Sequence, residues 1–92
     1  MITYRAKLTK EGDRWLVEFP DCPGCQTFGE SREHALERAQ EALDGWLESH
    51  LFLFRVPPRP VATEGEPIVV ASEIAGEIEQ VWDVPKLGRR FD

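Results

Sequence analysis

The 92 residues predict an α+β fold, and three stretches carry that prediction. Residues 2–19 alternate apolar and polar side chains, residues 31–54 repeat apolar side chains every three or four positions, and Ile68 to Ala71 form a short β-branched run beyond a proline-rich stretch. The implied order is β-β-β-α-β: a three-stranded antiparallel meander, one long helix to cover it, a fourth strand to widen it, and a short C-terminal helix.

In the first strand Ile2, Tyr4, Ala6 and Leu8 alternate with Thr3, Arg5, Lys7 and Thr9, so one face is buried. Lys10-Glu11-Gly12-Asp13 reads as the turn of a hairpin, and Trp15, Val17 and Phe19 supply the apolar positions of its second strand. Pro20 and Pro23 cannot donate ladder hydrogen bonds and Gly24 tolerates positive φ, so Pro20-Asp21-Cys22-Pro23-Gly24 ends that strand and turns the chain. Asp21 fits a turn residue that hydrogen-bonds local amides. Cys25 to Phe28 then form the third strand, which Gly29 breaks.

Ser31 is the predicted N-cap of the helix, with Glu30 and Glu33 near the positive end of its dipole. Leu36, Ala39, Leu43, Trp46 or Leu47, His50 and Phe54 make the stripe that faces the sheet. Gly45 inside it costs on the order of 1 kcal/mol against alanine, so it marks a close contact or a weak point. Leu51 to Phe54 are strongly apolar, and Val56-Pro57-Pro58-Arg59-Pro60 is a stiff linker that stops the helix. In the tail, Ile74, Ala75, Ile78, Val81 and Trp82 fit one helical face, while Ile74, Ile78, Trp82 and Val84 also fit a strand broken by Gly76. Ser72 as cap, Glu73 and Glu77 near the start and Pro85 as a stop favour the helix, with Lys86 to Asp92 a loose end. The division expected is residues 1–71 as the β-β-β-α-β domain and 72–92 as a short helix and tail.

Seventeen acidic against eleven basic residues give a net charge of -6, which repels nucleic acid and suits a basic protein partner, although many soluble domains are acidic. Along the helix Glu33, Glu37, Glu41, Asp44 and Glu48 fall on one ridge opposite the apolar stripe. That row is either a solvated face or a surface for something basic. No apolar run approaches a membrane span and the N-terminus starts directly into a strand pattern, so a cytoplasmic protein is expected.

Cys22-Pro23-Gly24-Cys25 is a C-x-x-C, a spacing shared by redox enzymes and half zinc sites. A redox pair works from a helix N-terminus, whereas this one precedes a strand. Zinc would need His34 and His50 as well, and four helical turns separate them. The expectation is therefore no cofactor and no metal: two small turn residues, one of them semi-buried. Glu18 and Asp21 have no carboxylate partner from a later strand with which to build a two-metal nuclease site, and no glycine-rich phosphate loop is present. No catalytic residue is expected.

One arrangement is more specific than any of these. A strand ending in Phe19-Pro20-Asp21, then Pro23-Gly24-Cys25, Thr27 and Gly29, then a capping serine and an alanine-rich amphipathic helix, resembles the HicB family of antitoxins. Tyr4, the Trp15 to Phe19 segment, and Glu41-Ala42-Leu43 with Trp46-Leu47 fit the same pattern, so the resemblance covers about Ile2 to Pro60. Cys22 stands where an aliphatic residue is usual, and His34 where a second acid is usual. The resemblance implies a partial ribonuclease H-like fold, self-association, and a partner that is a small basic mRNA-cleaving toxin of the HicA type. Such antitoxins often carry a DNA-binding module after the sheet domain. Here too few residues follow Ala71 for a helix-turn-helix, and Arg89-Arg90 is the sole basic cluster, so no direct nucleic-acid binding is expected. The implied function is neutralisation of that toxin by the acidic ridge. The alternatives are an orphan oligomerising domain that uses Ile78, Trp82, Val84 and Phe91 between protomers and, last, a C-x-x-C redox or metal-binding protein.

Overall fold

The computed structural model of the chain describes residues 1–88, with side-chain environments through Asp83. The elements are β1 (Thr3–Glu11), β2 (Arg14–Glu18), β3 (Gln26–Gly29), α1 (Arg32–Phe52), β4 (Glu66–Val69) and α2 (Ser72–Gly88). The described strands form one antiparallel sheet in the order β3-β2-β1-β4, so the meander is as expected and the fourth strand joins it beside β1.

Several boundaries differ from those expected, each for a local reason. Lys10 and Glu11 remain in β1, pairing with Trp15 and Arg14, because a two-residue Gly12-Asp13 turn suffices when Gly12 takes φ +62°. Gly29 does not break β3 but ends it, paired with Trp15. β4 begins at Glu66, two residues early, because Pro67 is tolerated on an edge strand. Helix α1 stops before Phe54, which therefore leaves the buried stripe. In α2, Ser72 is already helical, so Ala71 stands at the cap position, and the helix includes Pro85 rather than stopping at it. Within a helix a proline removes one donor and its ring crowds the carbonyl four residues back, so carrying α2 through Pro85 costs about 3 kcal/mol.

The core lies on one face of the sheet. Tyr4, Ala6, Val17, Phe19 and Cys25 from the sheet side meet Ala35, Ala39, Leu43 and Leu47 from α1 and Ile74, Ala75 and Ile78 from α2. The buried α1 residues recur every fourth position and begin with two alanines, which brings the first half of the helix close to β3.

The proline-rich segment is packed rather than free. Pro57 is fully buried, its carbonyl accepting the Trp82 indole N–H at 2.8 Å, while the Pro58 carbonyl accepts the Tyr4 hydroxyl. This strap ties α2 and β1 across the open end of the core. No helix among the described residues is long and apolar enough to cross a membrane.

Candidate partner-binding surface

The loop between β2 and β3 is built by the residues that the sequence singled out. Phe19 and Cys25 are buried, and the Phe19 amide donates to the Cys25 carbonyl at 3.3 Å, closing the loop base. Cys22 donates to the Phe19 carbonyl at 3.0 Å and Cys25 to the Cys22 carbonyl at 2.9 Å, while Gly24 takes φ +87° beyond the exposed Pro20 and Pro23. Asp21 does not serve local amides. Its Oδ2 accepts the amides of Val61 and Ala62, both at 2.9 Å, some forty residues away, so it anchors the strap to the loop. The strap's carbonyl-rich prolines leave few donors, and the first free amides after Pro60 are the ones taken. Thr27 is half-buried and lines a hollow with Arg38, Glu41 and Ala42. At Gly29 a Cβ would lie 2.3 Å from the Ala35 amide nitrogen, so only glycine permits this approach of β3 to α1.

Both cysteines are free and buried, not one of them only semi-buried. Burial, with Cys25 and Asp21 adding to it, pushes the Cys22 thiol up to about 12, and burial pushes Cys25 up to about 11. Burial also raises the Tyr4 phenol well above its ordinary range, helped by Cys22 and Asp21. Thiols held protonated and covered are poor nucleophiles and poor metal ligands. His34 has a capping role: Ser31 Oγ accepts the His34 amide at 3.0 Å, and His34 Nδ1 accepts the Glu30 amide at 3.1 Å. It occupies the place of the acid in a capping box. His50 stacks on Trp46, ring centroids 3.9 Å apart. Among the described residues no three His, Cys, Asp or Glu side chains converge on a metal position.

Of the acidic ridge, Glu33, Glu37, Glu41 and Glu48 are exposed on α1. None of these four is in an ion pair among the described residues. Asp44 differs, being half-buried: its Oδ1 accepts the Ala71 amide at 3.2 Å and its Oδ2 the Gln40 side chain at 3.1 Å. Gln40 also donates to the Val69 carbonyl at 2.7 Å, so this pair splices α1 to the β4–α2 junction. Asp44 thereby satisfies the backbone amide of the residue that precedes α2. Arg32 pairs with Glu66 of β4, outside the ridge.

The tail residues are not presented as a free apolar surface. Ile78 is wholly buried in the common core. Trp82 packs against that core, holds the Pro57 carbonyl and carries the Arg59 guanidinium 4.6 Å over its ring. The chain's own core thus takes up Ile78 and part of Trp82, two residues that the oligomerising alternative set between protomers. The Val84 side chain, Arg89-Arg90 and Phe91 lie outside the described residues. What the sequence stripe missed is at the other end of α1, where Phe52, Leu53, Phe54 and Val56 are all exposed. The signal was present as an apolar run with no place in the helical period.

Two comparisons bear on identity. The family model described as "HicB_like antitoxin of bacterial toxin-antitoxin system" matches residues 4–86. A curated relative, Antitoxin HicB 2 of Photorhabdus laumondii subsp. laumondii, is 37% identical over 76 residues, which cover 82% of this chain and 54% of that protein. The chain thus spans about half the length of that relative. The match runs through the β2–β3 loop, both packed helices and the strap between them, so the chain belongs to the HicB-like antitoxins of bacterial toxin-antitoxin systems.

Proposed function

We propose that the chain neutralises a small basic ribonuclease toxin of the HicA-like type by covering it, without chemistry of its own. The observation that carries this reading is the row Glu33, Glu37, Glu41 and Glu48, four exposed carboxylates without an ion pair among the described residues, along about 22 Å of one helix. Like charges at four-residue spacing oppose helix formation by a few tenths of a kcal/mol per pair, and a basic surface laid against them removes that repulsion. The net charge of -6 steers the same encounter and opposes direct binding to nucleic acid. The raised thiols and the occupied histidines support a non-catalytic, cofactor-free role. An mRNA-cleaving partner would place the pair in the cytoplasm.

The test is a pull-down of the purified chain against the product of the adjacent open reading frame, assayed for ribonuclease activity with and without the chain. A stoichiometric, inhibited complex is expected. Reversing Glu37 and Glu41 to lysine is expected to raise the Kd about tenfold or more and flatten its dependence on salt. Unchanged affinity in the double variant would remove the ridge from the contact while leaving the inhibition assay to judge the antitoxin role.

A further inference from the structure

We propose that Cys22 and Cys25 form a reversible oxidative modification site, a dithiol that closes to a disulfide inside the β2–β3 loop and so tightens the loop's hold on the strap. Neutralisation of a toxin makes no use of either thiol.

The loop already has the shape that the bond needs. The Cys25 amide donates to the Cys22 carbonyl at 2.9 Å across Pro23 and Gly24, and Gly24 takes φ +87°, the Pro-Gly pairing of a type II turn. A turn closed in this way holds its end Cα atoms within about 7 Å, and disulfides span about 4.4–6.8 Å. Both side chains enter the same core cluster, and Cys25 is close enough to Cys22 to raise its thiol. The sulfurs can therefore join without unfolding the loop.

The two positions differ in access. Cys25 lines an open hollow with Phe19, Pro20, Pro23 and Gly24, whereas Cys22 has no exposed surface, so the entering oxidant meets Cys25 first. With a low-molecular-weight disulfide such as glutathione disulfide, the Cys25 thiolate attacks one sulfur and releases one glutathione. The Cys22 thiolate then attacks the Cys25 sulfur of the mixed disulfide and displaces the second. Two protein thiols are oxidised, one glutathione disulfide is reduced to two glutathiones, and the protons of the protein thiols end on the released thiols. Burial slows both attacks at neutral pH, but the end point depends on how well the folded turn holds the sulfurs together.

The consequence reaches the strap. Asp21, next to Cys22, holds the Val61 and Ala62 amides at 2.9 Å, some forty residues along the chain. Joining Cys22 to Cys25 removes the loop motion that would release them.

The test equilibrates the full chain, without any toxin, in mixtures of glutathione and glutathione disulfide. One sample starts reduced and the other is oxidised before refolding; both are then alkylated and weighed by mass spectrometry. Both starts are expected to reach the same ratio, with a single chain lighter by two hydrogens as the main oxidised species. Its formation constant is expected to be about tenfold or more larger in the folded chain than in urea, and by linkage the oxidised chain melts about 5 °C or more higher. Amide exchange at Val61 and Ala62 is expected to slow in the oxidised chain. Cys22→Ala, which leaves the Pro-Gly turn in place, is expected to take up one glutathione at most and to show neither change. Mixed disulfides or linked chains as the only oxidised products overturn the site, as does a folded chain no easier to oxidise than the unfolded one. Unchanged exchange at Val61 and Ala62 overturns its hold on the strap.

Discussion

The two ends of α1 answer to different things. At the N-terminal end the chain supplies its own partners: Ser31 Oγ takes the His34 amide and His34 Nδ1 the Glu30 amide, Gly29 lets Ala35 press on β3, and Arg32 reaches Glu66 of β4. At the C-terminal end the backbone is equally satisfied by the bonds to His50 and Leu51, yet Phe52, Leu53 and Phe54 extend into solvent. One end is packed into the fold and the other leaves its apolar side chains uncovered among the described residues. The residues that mark the family, Phe19 to Gly29, lie beside the first end, where they build its scaffold.

The strongest way to break this contrast is at Gly29. A valine there would place its Cβ 2.3 Å from the nitrogen and 2.4 Å from the Cα of Ala35, backbone atoms that cannot move unless the helix lifts from β3. Gly29→Val is expected to cost on the order of 4 kcal/mol or more, a large part of the stability of so small a domain. Urea unfolding measures it. A midpoint within error of the wild type would show that the close approach at this end does not hold the fold together.

Alkaline pH probes the same finished region through its thiols. In the unfolded chain Cys22 and Cys25 lose their protons near the ordinary thiol range, whereas in the folded chain they hold them to about 12 and about 11. Above the ordinary range the unfolded state therefore binds fewer protons than the folded one, and stability falls as pH rises. Between about pH 8 and about pH 10 the two thiols together are expected to remove about 2–3 kcal/mol. A Cys22→Val, Cys25→Ala variant is expected to lose much less over the same interval. Equal slopes for the variant and the wild type would mean that burial of the thiols is not coupled to folding.

What could be read in the sequence follows the same division. Period-two alternation placed the first two strands and the period of about 3.6 placed α1, because one-sided burial imposes those periods directly. The β2–β3 loop was legible because Pro20, Pro23 and Gly24 constrain backbone by their own covalent structure. Asp21 was legible as a hydrogen-bonding residue but not in its choice of partners, since nothing local indicates that Val61 and Ala62 return to meet it. Asp44 likewise belonged to the acidic period, and only the β4–α2 junction turns it inward. Ile78 and Trp82 looked surplus because the core that receives them is assembled from residues distant in the chain. Phe54 failed in the opposite sense, since its place in the helical period read as burial and the helix ends before reaching it, leaving it exposed with Phe52, Leu53 and Val56.

The smallest effect sharpens the contrast at the open end of α1. Phe54 keeps φ at 56° without glycine's freedom and gains no contact for its ring within the chain. Replacing it by glycine leaves the Schellman hydrogen bonds in place, since both are made by backbone groups. At concentrations where the chain is monomeric, Phe54→Gly is therefore expected to be more stable by about 1 kcal/mol, which raises Tm by a few degrees in a domain of this size. Thermal unfolding of both proteins measures the difference, and a glycine variant no more stable than the wild type would mean that the left-handed conformation at Phe54 costs the fold nothing.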